Sequence, residues 1–340
     1  MSFIVEIVRL QQGGLCYCIN NLVGHYLFAK KNKLALTIVD DAWLFKHKLG
    51  LKDYFDSLDT HTPDKAYQMP VFHIGTDDER LSINRFTVKE YQEGFAFVTK
   101  LNKNMEEKKQ AVMNKLGLVE GQYDAIMIRR GEKIYCESYY IDTKDFITKL
   151  AERKTNTIFV QTDDYNGYLE TVEEAKKIDP NIKVITTCPP TQHGIVNFKQ
   201  ARERLDSLYY NKMSNFVSEE KNKEYCQETL NKIGKSVEEY TPEEVQAHAE
   251  ESIIGLEICS LSRFLCMDLQ SNVNRYLFLK HNNIDNIIIV ESKNPKTFPN
   301  VVPKLDTLIQ YPIYDFHKFL SPDLQYLGPP QMFPLEFRQR

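Results

Sequence analysis

Ala125-Ile-Met-Ile128, followed at once by Arg129-Arg-Gly-Glu-Lys133, is the stretch that decides the fold. Four consecutive apolar residues bounded by charge read as a short strand buried on both faces, as in a parallel sheet. The pattern then repeats downstream. Residues 142–153 have a helical period with Asp142 placed to cap it, 157–160 (TIFV) form another apolar run, 165–178 are helical, and 183–186 (KVIT) give a third strand. A polar, largely helical stretch covers 197–251, broken at Gly234 and Pro242. An amphipathic helix over 250–262, a strand over 264–267, a helix over 272–281 and a strand over 284–290 complete the series.

Upstream, residues 3–8 alternate like a strand, Gln11-Gln-Gly-Gly14 makes a turn, and Ile19, Leu22, Val23, Tyr26 and Leu27 mark a helix over 16–31. Residues 34–39 (LALTIV) are the next strand, so the chain begins with a strand–helix–strand unit. Residues 87–116 read as helical, and Gly117 and Gly121 place a boundary after them. The reading is therefore an α/β protein with two parallel-sheet domains, 1–118 and 119–295, and a proline-dotted, aromatic strapping tail over 296–340.

Composition narrows the function classes. The chain has 340 residues, enough for two medium domains. A net charge of −4 argues against a general nucleic-acid binder, so any phosphate must be met by a few placed residues. No apolar run reaches the ~18 residues of a membrane span, and residues 1–10 read as a strand rather than a secretory signal. The expected location is the cytosol. Seven scattered cysteines with no CxxC pair read as reduced thiols, not a zinc site. The Lys/Asn/Ile-rich composition is that of an AT-rich genome, a large DNA virus being one candidate.

In parallel sheets ligands sit at the carboxyl ends of the strands, which directs attention to the residues after 128, 160 and 267. Arg129, Arg130 and Lys133 are costly to bury there unless an anion is present. A diphosphate matches guanidinium forks, and a solvated basic loop is the plainer alternative. Thr162-Asp163-Asp164 either holds a metal or caps the following helix and orients the arginines. Ser271-Asn272 with Arg275 stands at a strand-to-helix junction, where backbone N–H groups can bind an anion and Ser271 can also simply cap. Gly13-Gly14 lets backbone approach a ligand in the first turn. His25, His47, His73 and His193 show no paired spacing and read as structural. Trp43, Tyr54 and Phe55 either stack on a sugar or pack a core.

The string Ile126-Met-Ile-Arg129-Arg130-Gly-Glu-Lys133 resembles the HxRRxDK signature of the fucosyltransferase group that contains α1,6-fucosyltransferases and rhizobial nodulation fucosyltransferases. In the same order, Gly13-Gly14-Leu15, Val160-Gln-Thr-Asp163-Asp164, Glu251–Ser262 and Ser271-Asn-Val-Asn-Arg275 resemble that group's glycine turn, xxTDD segment, helix ending in LLS and SSQVCR element. The resemblance implies a GT-B architecture, two Rossmann-like domains with parallel sheets facing a cleft. It implies an inverting glycosyltransferase without metal or other cofactor, taking fucose from GDP-fucose to a glycan or glycoside hydroxyl. On its terms Arg129 binds the diphosphate, Arg130 supports the loop, Lys133 assists, and Glu137 is the catalytic base. Ser271 and Asn272 bind phosphate, and Glu257 reads guanine, whose N1–H and N2–H donors suit a carboxylate. Met127 stands where the group has histidine, Glu132 and Glu257 where it has aspartate, and Asn272 where it has glutamine. Another GDP- or UDP-sugar as donor, or a catalytically silent glycan-binding protein on the same fold, are the alternative readings.

Overall fold

The computed structural model describes residues 5–10, 14–33, 35–40, 43–56, 86–131, 134, 140–194, 224–225, 239–268 and 271–290. They fall into two compact α/β units, one up to Asn102 and one from Lys103 to Ser292. The expected tail over 296–340 lies outside the described residues, as does most of 197–238.

In the first unit β1 (Val5–Arg9) and β2 (Ala35–Val39) pair in parallel, joined by α1 (Leu15–Asn32). Gly14 is the N-cap of α1 and Lys33, at φ 55°, closes its C-terminus. Helix α2 (Val88–Val98) starts from a Thr87–Glu90 capping box and lies close along α1. Gly94 permits that approach, since a Cβ there would lie 3.0 Å from Val23 and 3.1 Å from Leu27. Trp43, Tyr54 and Phe55 are 3%, 0% and 3% exposed and pack among themselves and Phe45, so all three belong to the core.

The helical pattern over 87–116 is two helices. Thr99 Oγ1 donates to Phe95 O (2.7 Å), Leu101 bridges Phe55, and Asn102 Nδ2 donates to Lys52 O (2.8 Å), which ends α2 and ties the turn to the first unit. Helix α3 (Lys103–Leu116) then packs with the second unit, where Lys108 meets Glu250 at 2.5 Å. The two compact units divide at 102/103.

The second unit is built on five parallel strands: β3 (Asp124–Ile128), β4 (Thr157–Thr162), β5 (Lys183–Thr186), β6 (Leu265–Met267) and β7 (Ile287–Ile289). Their order is β5-β4-β3-β6-β7, with Met127 level with Gln161 and with Met267. Helices α4 (Thr143–Ala151), α5 (Tyr165–Ile178), α6 (Pro242–Ser260) and α7 (Asn272–Lys280) surround it. Ile126, Ile128, Phe146, Ile147, Leu150, Ile158 and Val160 form its core. Asp142 stands at the N-cap of α4 without a side-chain capping bond. Helix α6 begins earlier than the hydrophobic pattern indicates. Pro242 occupies its first turn behind a Thr241–Glu244 capping box, so this proline starts a helix instead of breaking one.

From β3 the chain steps outward to β4 and β5, then returns to β6 on the other side of β3 and continues to β7. The switch in direction lies between β3 and β6. At such a point the loops leaving the two strands part in opposite directions and open a crevice at their carboxyl ends.

Candidate functional site

Arg129 and Arg130 leave the carboxyl end of β3, whose five residues are all buried. The Arg129 side chain is 8% exposed, so it does not point into solvent, and its Nη1 forms an ion pair with Asp163 Oδ2. The other Asp163 oxygen accepts from the Arg130 backbone N–H (2.7 Å). Asp163 therefore anchors both the side chain of one arginine and the backbone of the next.

Arg130 is committed differently. Its guanidinium makes two parallel bonds to Glu170, at 2.8 and 2.6 Å, and lies 4.3 Å from the Tyr140 ring and 5.8 Å from that of Tyr225. The Tyr140 hydroxyl also donates to Glu170 (3.0 Å). Burial works against the Arg130 charge, and the bonds to Glu170 more than offset it, so the group titrates above its ordinary range. This places Arg130 as the pillar under the loop.

Gly131 and Gly194 bring two backbones together. Both have positive φ, 58° and 91°, and a Cβ on Gly194 would lie 2.7 Å from Gly131 Cα. Gly194 N–H donates to Asp163 O (2.7 Å), and Gly131 N–H donates to the Tyr225 hydroxyl (3.0 Å). Burial, and then the charge of Asp164, push the Tyr225 hydroxyl up, so it stays neutral. Asp164, fully buried, caps α5 by accepting from Asn166 N–H (3.1 Å). His193 forms a backbone bridge with it. The Cys188 thiol is pushed up to about 12 by burial and then by Asp164, so it is no thiolate nucleophile.

On the other side of the switch point Asp268 follows β6 and accepts from Asn274 Nδ2 (2.6 Å). Ser271 caps α7, accepting from Asn274 N–H (3.3 Å). Asn272 and Arg275, both half-buried, lie in the first turn of that helix. The helix that follows β6, the strand next to β3, thus starts at the same carboxyl edge of the sheet that Arg129 leaves. Partial positive charge at a helix start beside a buried guanidinium favours an anion in the crevice. From above, α6 contributes His248, whose titration is lowered by burial and then by Arg129.

The structure assembles Arg129, Arg130, Asp163, Asp164, Ser271, Asn272 and Arg275 on the carboxyl ends of three adjacent strands. Glu137, Lys133 and Gly13 lie outside the described residues, and Gly14 belongs to the first unit. Glu257 lies toward the other end of α7. It is buried between α6 and α7, with Oε1 bonded to Lys280 Nζ (3.0 Å) and the Tyr276 hydroxyl (3.2 Å). Lys280 is in the last turn of α7 and Ser271 at its start, ~13 Å apart by helical rise, so Glu257 is not an open carboxylate beside the phosphate cluster. Asp163 and Asp164 act as anchor and cap, and no His/Cys/Asp/Glu group arranged for a metal occurs among the described residues. Glu170, Tyr140, Tyr225, His193 and His248 join the site unannounced. Their spacing carries no signal, because each comes from a different segment that only the tertiary fold brings to this edge.

No family model matches the chain, and no curated protein matches it. Among solved structures it is similar to NodZ alpha-1,6-fucosyltransferase soaked with GDP-fucose, at 10% identity and a TM-score of 0.45, covering 82% of this chain and 91% of that one. Fucosyltransferase NodZ from Bradyrhizobium gives 11% identity and 0.42, over 82% and 92% of the two chains. POFUT1 in its apo-form gives 8% and 0.42, over 85% and 99%. Likeness at these values assigns no function to this chain. No described helix is long and apolar enough to cross a membrane.

Proposed function

We propose that the second unit binds a nucleoside-diphosphate sugar and that the protein is a glycosyltransferase of GT-B arrangement, with GDP-fucose its donor and a glycan or glycoside hydroxyl its acceptor. The observation that carries this reading is the buried Arg129 at the switch point, one strand from the Ser271-capped start of α7. Breaking the sugar–phosphate bond leaves its electron pair on the diphosphate. Arg129, the first turn of α7 and Lys133 stabilise that charge as it develops. Asp163 sets the aim of Arg129, and Arg130 with Glu170 keeps the loop rigid. Glu137 accepts the acceptor hydroxyl's proton as the new bond forms at the opposite face of the sugar carbon, which inverts it. On this reading the reaction needs no metal, and each aspartate of the Thr162-Asp-Asp164 segment already bonds a donor of the chain through one oxygen.

One observation favours a second reading of the donor. Lys280 already neutralises Glu257, which weakens the case for guanine and admits a UDP-sugar. Thermal unfolding of the full chain with GDP, UDP and GDP-fucose separates the two. A ligand at a hundred times its Kd adds about 2.7 kcal/mol, seen as a raised Tm. GDP and GDP-fucose are expected to raise it most. A larger rise with UDP removes the guanine assignment, and no rise with any of the three removes the nucleotide-sugar reading. Unchanged turnover of GDP-fucose in Glu137→Ala removes that residue as base.

A further inference from the structure

His193 has no partner suggested by sequence spacing, yet it lies on the segment that crosses the Arg129 loop. Its neighbours are pinned there, Gln192 O accepting from Tyr165 N–H (2.8 Å) and Gly194 N–H donating to Asp163 O (2.7 Å). The His193 Nδ1 is buried, has no hydrogen-bond partner among the described residues, and stands 3.7 Å from Oδ1 of Asp164, a fully buried carboxylate. The side chain is nevertheless 25% exposed. Since Nδ1 contributes none of that exposure, the open part of the ring is its remainder, which includes Nε2.

The charges already present at this edge make that ring important. Arg129 is neutralised by Asp163 and Arg130 by Glu170, while Asp164 and Asp268 add further carboxylates. A diphosphate entering beside Arg129 meets these carboxylates as well, so a further N–H donor at the same edge favours its binding. We propose that His193 is that donor: with Nδ1 turned to Asp164, its Nε2–H donates to the phosphate farther from the base. The inference rests on the nucleotide-sugar reading and assigns one contact within it.

Calorimetric titration of GDP and GMP into the full chain, His193→Gln and Asp164→Asn tests this. GMP has the base and ribose but lacks the farther phosphate. His193→Gln is expected to weaken GDP by about tenfold or more, the size of one charge-assisted hydrogen bond, and GMP by less than about twofold. Asp164→Asn keeps an oxygen for the α5 cap and is expected to weaken GDP by a smaller factor, again sparing GMP. Equal weakening of GDP and GMP, or no weakening of either, overturns the role of His193 while the nucleotide site stands. Failure of the unmutated chain to bind GDP and GMP alike overturns the site and this inference with it.

Discussion

The two ends of the five-stranded sheet each hold a buried aspartate paired with an arginine, and they use the pair in opposite ways. At the amino end Asp124, fully buried, accepts from Arg263 Nε (3.0 Å) and Nη2 (2.8 Å), Phe264 N–H (3.2 Å) and Thr155 Oγ1 (2.5 Å). Its acceptor capacity is filled by the chain, and its arginine is 40% exposed, so part of that charge is solvated. At the carboxyl end Asp163 meets an arginine that is 8% exposed, and around it lie a helix start, two histidines and a glycine-only backbone crossing. Saturation of the carboxylate makes a fastener. A buried charge beside an open helix terminus makes a site, and the difference is in what surrounds the pair, not in the pair.

The largest expected break in that comparison comes from Asp163→Ala. It strands the buried Arg129 charge and the Arg130 N–H together, at a cost of about 3–5 kcal/mol in urea unfolding. Gly194→Ala ranks second at about 1–3 kcal/mol, because a left-handed φ and the Gly131 backbone at 2.7 Å leave no room for a methyl group. The measurement is again the urea midpoint, accompanied by a loss of GDP affinity. Asp124→Asn is expected to cost about 1–2 kcal/mol, because the exposed Arg263 can take water in place of the lost charge, and to leave GDP affinity unchanged. If Asp124→Asn alters nucleotide binding as much as Asp163→Ala does, the division of labour between the two ends is refuted.

The smallest effect concerns pH. His281, between β6 and β7, approaches Asn283 O (2.8 Å) and Ser262 O (3.2 Å) and is held below the usual histidine range by burial, which outweighs these carbonyls. His248 is lowered at the other end of the sheet by burial and then by Arg129. In both cases the unfolded chain binds a proton more readily than the folded one. Their contribution to stability is therefore complete above the unfolded histidine value, ~6.5, and is lost as pH falls below it toward the lowered folded values. Urea midpoints at pH 7.5 and 5.5 should show a drop that shrinks in His281→Gln and in His248→Gln. An undiminished drop in both variants would place its origin elsewhere.

Much of the second unit is legible in the sequence. Residues 165–178 and 183–186 fall where the sequence pattern puts them, and the interior strands β3 and β4 show as apolar runs because most of their residues are buried. The arginines, the Asp163-Asp164 pair and Ser271 are legible as strand-end residues for the same reason. The split at 99–102 was hidden because Thr99 and Asn102 end and tie the helix through bonds to Phe95 O and Lys52 O that periodicity does not register. The start of α6 was legible in Thr241-Pro-Glu-Glu244, a capping box around a first-turn proline, and reading that proline as a breaker obscured it. The pairing of Glu257 with Lys280, 23 positions later, carries no mark in the sequence. Glu170 and His193 carry no local mark, since what gives them roles is a guanidinium and a carboxylate from other segments.

The partners of Asp124 also set a timetable for biosynthesis. Thr155 is 31 residues downstream, but Arg263 and Phe264 are 139 and 140 residues away. A ribosome adding about 5–20 residues per second delivers them roughly seven to thirty seconds after β3 has emerged. Through that interval the central strand can pair with β4 while its β6-facing edge waits unpaired, and such edges recruit foreign strands. Nascent chains stalled before residue 263 are the species for which a cell producing this protein needs chaperones most.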